Sequence, residues 1–137
     1  MRKWTAAVAA LACVGSLGSA AAADALADCY RAADSKGDIQ ACLRRELAET
    51  EKFYEDIVDR VLADARDLDR VQKRKDAAKA FEDSNKAFMR YVEAECKWVE
   101  ESSGASAGAS NAVLACRINL LKLRAGSLDA QFLSTSR

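Results

Sequence analysis

Cys29, Cys42, Cys96 and Cys116 are the residues of this chain best suited to covalent chemistry. Four thiolates can hold a zinc ion, but structural zinc sites use closely spaced C-x-x-C-type pairs, and spacings of 13, 54 and 20 contain none. The same missing pair argues against a thioredoxin-like redox centre. Disulfide formation remains, and four cysteines allow three pairings. Short loops favour Cys29–Cys42 and Cys96–Cys116, which close about 14 and 21 residues. Each is expected to stabilise the fold by ~3 kcal/mol through restriction of the unfolded chain.

Other chemistries are poorly provided for. The 137 residues include no histidine, which removes the Ser-His-Asp triad, the Cys-His pair and every imidazole ligand. Paired carboxylates can cleave glycosidic bonds when one is protonated and the other ionised. The 21 acidic residues here are interleaved with 21 basic ones in helical patterns, as on a solvated surface. Asp34 to Asp38 lacks the acidic spacing and terminal glutamate of a calcium loop. No glycine-rich phosphate loop follows a strand. Lys73-Arg74-Lys75 is a short basic run that reads as a solvated helix face. Arg90, Tyr91 and Trp98 either form a cationic–aromatic surface or cover the edge of a small core, and the second is the expectation. No catalytic residue, cofactor or metal is expected, and a near-neutral charge argues against nucleic acid as partner.

The cysteines need an oxidising compartment, and the N-terminus provides a route to one. Arg2 and Lys3 precede an apolar stretch from Trp4 to Leu17, and Ala21-Ala22-Ala23 forms an A-x-A site. This predicts a signal peptide over residues 1–23, cleaved before Asp24, with the mature protein periplasmic or secreted. Cys13 would leave with it. The alternative is a lipid anchor on Cys13, but Ala10 stands where a lipoprotein box carries a larger aliphatic residue. The mature chain carries 19 basic and 21 acidic residues and no apolar run long enough to span a membrane.

The elements that must position the cysteines are helical. Between Asp38 and Ser103 there is neither proline nor glycine. Leu43, Leu47, Thr50, Tyr54, Ile57, Val61, Ala65 and Leu68 recur at steps of three and four, as do Ala77, Phe81, Asn85, Phe88, Val92, Cys96 and Val99. One helix over that whole stretch would be about 100 Å long, so a turn is expected in the charged segment between Ala65 and Asp76. An uninterrupted coiled coil is the rival. A short helix over about residues 25–33 precedes the breaker cluster at 34–38, with Asp38 as the expected N-cap of the long helix. Residues 101–110 form a Gly/Ser/Ala loop. A last helix places Leu114, Ile118, Leu121, Ala125, Leu128 and Phe132 on one face, with fraying expected after Gly126-Ser127. The expected fold is all-α, a small antiparallel bundle or hairpin of three to four helices stapled by two disulfides. It forms one domain over residues 24–137.

Three segments carry a family resemblance. They are Cys29 with Gln40-Ala41-Cys42-Leu43 and Phe53-Tyr54; the run from Phe81 through Asn85, Phe88, Tyr91 and Val92 to Cys96; and the Gly/Ser loop leading to Cys116, Leu120, Arg124 and Leu128. Together they resemble the LprI-type lysozyme-inhibitor domain of exported bacterial proteins, over about residues 28–132. That family carries an L-x-x-A-Q-x-A-W-x-x-Y-R-D-x-x-C-like run and a C-x7-R-x3-L pattern. Here Asn85 replaces its glutamine, Phe88 its tryptophan and Val92 its arginine; Leu121 replaces a common threonine, and Thr50-Glu51 a Leu-Asn pair.

The resemblance implies a non-catalytic binding protein that inhibits lysozyme in the bacterial envelope. Lysozymes are cationic and carry their carboxylates in a cleft, so an inhibitor needs acidic surface for steering and an element that enters the cleft. The loop residues Ser102, Ser103, Ser106, Ser110 and Asn111 are the candidates for entry, with Glu100 and Glu101 orienting them. The alternative is a structural or chaperone-like envelope module that binds through an uncovered apolar stripe.

Overall fold

The computed structural model describes residues 24–133, except 74, 105 and 107. The expected leader over residues 1–23, its expected cleavage site and Cys13 lie outside the described residues. Four helices follow in order: α1 (Ala25–Ala32), α2 (Lys36–Gln72), α3 (Ala77–Ser102) and α4 (Ala109–Leu128). A π-helical turn, Asp129–Leu133, prolongs α4. The described residues contain no strand.

α2 is 37 residues long, roughly 55 Å at the helical rise. It runs on while its neighbours fold back: α3 returns antiparallel beside it, and α4 returns again to lie against both. α1 closes the end where α2 and α4 begin. The arrangement is the expected helical bundle, not an extended coiled coil.

The two long stripes and the last helix bury one another. Tyr54, Ile57 and Val61 of α2 meet Leu121, Ala125 and Leu128 of α4, with Phe81, Phe88 and Met89 of α3 packed alongside. At the α1 end a second cluster joins Ala25, Cys29, Ile39 and Leu43 to Ala115 and Ile118. Leu47 touches both clusters and makes the core continuous.

The disulfides are Cys29–Cys42 and Cys96–Cys116, the short-loop pairing. The first fastens α1 to α2. An eight-residue helix is too short to persist alone in water, so this bond and the burial of Ala25 and Cys29 hold α1 in place. The second joins α3 to α4 across their connecting loop.

The start of α2 differs from the sequence expectation, and the α2–α3 turn falls inside its expected window. Ser35, not Asp38, is the N-cap of α2: its Oγ accepts from the Asp38 N–H at 3.3 Å and donates to the Asp38 carboxylate at 2.6 Å. Asp38 lies three residues inside the helix and is bonded to the cap through both its backbone N–H and its carboxylate. The α2–α3 turn falls at the far end of the expected window, after Gln72, with Lys73 in a left-handed conformation. The apolar stripe ends before the helix does, since Leu68 and Val71 are already exposed.

At the C-terminal end, α4 passes through Gly126 without breaking. Gly126 is exposed and costs about 1 kcal/mol against alanine, whereas Ala125 and Leu128 on either side are buried and hold the helix down. The π turn beyond Leu128 shifts the register. Phe132, expected on the buried face, is 47% exposed.

Candidate functional site

The cleft-entering candidates lie around the α3–α4 connection, and the structure places them unequally. Glu100 and Glu101 sit in the last turn of α3, exposed, and both pair with Lys97 at 2.8 Å. That pairing pushes the Lys97 ammonium above its ordinary range and holds the Glu101 carboxyl below its own. Ser102 and Ser103 turn their hydroxyls back to donate to the Val99 carbonyl at 3.0 and 2.7 Å. Ser106 donates to the Ser103 carbonyl at 3.2 Å. Ser110 is already inside α4, where its Oγ accepts from Gln40 Nε2 at 3.3 Å.

Asn111 requires a correction. It is 8% exposed, in the third position of α4, and its side chain is covered instead of being offered to a partner. The loop's exposed polar surface is thus Glu100, Glu101, Ser102 and Ser106, with Gly104 at positive φ making the turn. Only glycine enters that conformation without a steric cost.

The expectation for Arg90, Tyr91 and Trp98 is also corrected. All three are exposed, Trp98 at 64% and Tyr91 at 50%, so they do not cover the core edge. Val92, on the opposite face of the helix, takes that role with 0% exposure. An aliphatic side chain suits so fully buried a position, where a guanidinium would need compensating hydrogen bonds.

The four thiols are consumed in disulfides, which removes the zinc alternative. Among the described residues no cluster of three or more potential ligands could hold a metal ion. The Asp83 and Glu101 carboxyls are both pushed down by a neighbouring lysine. A general acid for glycoside cleavage needs the opposite shift.

One feature of the surface was not anticipated. A groove of about 400 Å³ lies between α2 and α3. Tyr54, Val58, Met89 and Leu121 line it on the apolar side, and Glu51, Glu55 and Asp59 stand along one edge. At its base the Tyr54 hydroxyl donates to Asn85 Oδ1. Tyr54 is 5% exposed, and burial pushes its phenol above the usual tyrosine range against the opposing pull of the nearby Arg124 charge. The sequence signal was present: Glu51, Glu55 and Asp59 recur every four residues beside the Tyr54–Ile57 stripe, and Asn85 interrupts the apolar pattern of α3.

Arg124 explains the C-x7-R-x3-L pattern in physical terms. Cys116 ties α4 to α3, Arg124 lies 5.6 Å from the Phe88 ring centroid and donates to Ser84 Oγ at 3.1 Å, and Leu128 is buried in the core. Every element of the pattern fastens α4 to its neighbours. A family model described as lysozyme inhibitor LprI matches residues 27–128. The chain belongs to the LprI family. That match spans both disulfides, most of α1, the whole of α2, α3 and α4, and the groove. No curated protein and no solved structure matches the chain. No helix among the described residues is long and apolar enough to cross a membrane, and the LprI domain stands here as a disulfide-stapled helical unit.

Proposed function

We propose that this LprI-family chain is an exported, non-catalytic protein that binds and inhibits a lysozyme in the bacterial envelope. The observation that carries the reading is the family match over residues 27–128, which takes in the whole disulfide framework. Export through the leader at residues 1–23, to the periplasm or outside the cell, supplies the oxidising conditions those bonds require. The partner is a protein, and no cofactor enters the proposal.

The loop after α3 remains the proposed element for entering the lysozyme cleft. Glu100, Glu101, Ser102 and Ser106 offer contacts there, Ser103 and Ser110 shape the loop, and Asn111 is buried in α4 beneath it. The test is inhibition and direct binding by the exported, oxidised protein against a panel of lysozyme types. Binding that disappears on reduction supports the reading. A folded protein that binds none of them overturns it. Replacing residues 102–110 by an unrelated linker tests the loop, because unchanged affinity removes its role.

A second reading, a structural or chaperone-like envelope module, draws on the end of the bundle away from α1. Leu68 and Val71 are exposed there, beside an apolar groove of about 380 Å³ lined by Val61, Ala65, Leu68 and Phe132. Capture of a helical client that protects Leu68 and Val71, with no lysozyme bound, would favour it over inhibition.

A further inference from the structure

We infer that the groove between α2 and α3 receives an arginine side chain of a cationic protein partner, clamped between Glu55 and Asp59. This rests on the inhibitor reading and assigns it a contact surface separate from the α3–α4 loop. Three features of the groove support the assignment.

The first is a row of like charges, two of them without an ion-pair partner among the described residues. Glu51, Glu55 and Asp59 are spaced four residues apart on one helix face, where neighbouring carboxylates repel each other and weaken the helix. Some carboxylates elsewhere are balanced locally, among them Asp28 with Arg31, Asp67 with Arg70, Asp83 with Lys79 and Glu100 with Lys97. Glu51 has Arg117 at 3.9 Å. Neither Glu55 nor Asp59 has an ion-pair partner among the described residues, although both are exposed at the edge of a groove. The row thus already holds one guanidinium at its first carboxylate, and its next two positions repeat that chemistry.

The second is the groove's mixed lining. Val58, Met89 and the Tyr54 ring form an apolar wall that suits the methylene stem of a long cationic side chain, while the carboxylates stand where its charged head emerges. At the base, Asn85 Oδ1 accepts from the Tyr54 hydroxyl and retains a second lone pair for a donor. A planar guanidinium with five N–H donors can serve two carboxylates and this oxygen together, which a lysine ammonium does less well.

The third is size and local charge. About 400 Å³ is ample for one arginine side chain projecting from a larger body. Arg124 of α4 is turned to Phe88 and Ser84 and pairs with neither Glu55 nor Asp59. Complementary charge of this kind speeds encounter and fixes register with a cationic partner.

The test compares three exported, oxidised proteins against whichever lysozyme the unmodified chain inhibits: Glu55→Gln/Asp59→Asn, Glu55→Lys/Asp59→Lys, and a control, Asp34→Lys/Asp67→Lys, with the same change in net charge as the reversed pair at remote exposed sites. All should keep their circular dichroism and unfolding midpoints. The neutral pair should weaken binding about tenfold and the reversed pair about a hundredfold, with the control within threefold. The salt dependence of affinity should flatten in both groove variants. If lysozyme is bound and the groove variants lose no more than the control, the groove assignment is overturned while the inhibitor reading stands. If the unmodified, folded protein binds no lysozyme, the inhibitor reading falls and takes the groove assignment with it.

Discussion

The Asp69 carboxylate accepts from the Ala77 backbone N–H at 2.9 Å, reaching from the penultimate turn of α2 to the first residue of α3. Its other oxygen accepts from the Ala78 N–H at 3.0 Å. α3 has no cap from its own N-cap residue, Asp76, so a side chain of the preceding helix performs that work. The contact closes the α2–α3 turn and satisfies two N–H groups that the helix itself leaves unpaired. Asp69→Ala should therefore destabilise the protein by about 1 kcal/mol, and Asp69→Asn by less. Urea unfolding followed by circular dichroism measures both, and an unchanged midpoint for the alanine variant would show that the turn closes without this cap.

The same turn contains Lys73 at φ 51°, a left-handed conformation in which a side chain crowds the backbone. Lys73→Gly should raise stability by about 1 kcal/mol, less the extra freedom glycine gives the unfolded chain. A lowered unfolding midpoint would contradict this.

Each disulfide should be separately measurable. Cys29→Ser/Cys42→Ser and Cys96→Ser/Cys116→Ser are each expected to cost ~3 kcal/mol. Their local consequences differ. Hydrogen exchange should rise first in α1 for the former pair, because its eight residues have little else to hold them. For the latter it should rise around the α3–α4 loop. Uniform loss of protection in both would mean that α1 is not a separate unit.

Arg124 joins three contacts, two to α3 and one to the charge environment of Tyr54. Arg124→Ala should lower stability by about 1 kcal/mol, combining the lost cation–π contact with the lost Ser84 bond. Arg124→Met, which keeps the stem, separates packing from charge, and equal stability of Arg124→Met and the parent would exclude an electrostatic role.

Tyr54 supplies a pH dependence. Its folded-state pKa is raised, burial being the larger cause, so the folded state holds the phenolic proton more tightly than the unfolded chain. The contribution is intact below the unfolded value of about 10 and is lost as pH rises through the folded value. Unfolding midpoints should fall above pH 10, and Tyr54→Phe should remove that part of the decline. A Tyr54→Phe profile identical to the parent's would exclude Tyr54 as its source.

Helical periodicity, the disulfide pairing and the loop after α3 could all be read in advance because each depends on residues close in the chain. Leu43, Ile57, Ile118 and Leu128 sit on stripes set by a 3.6-residue repeat, and both disulfides close short loops. The helix ends were harder. Ser35 and Asp38 are both good caps, and the choice fell to Ser35 through a reciprocal bond whose geometry periodicity does not encode. Asp69 acts across eight residues and a turn, beyond any local pattern.

Local spacing determined the helical class, the two staples and the family pattern, since those follow from backbone periodicity and short-range loop closure. Tertiary packing decided which faces remained open. It covered Asn111 and Val92, left Trp98 in solvent, and brought Asn85 beneath the carboxylate row of α2 to form a groove. Burial of a helical residue depends on where its neighbouring helices lie, and that is settled only when α2, α3 and α4 pack together.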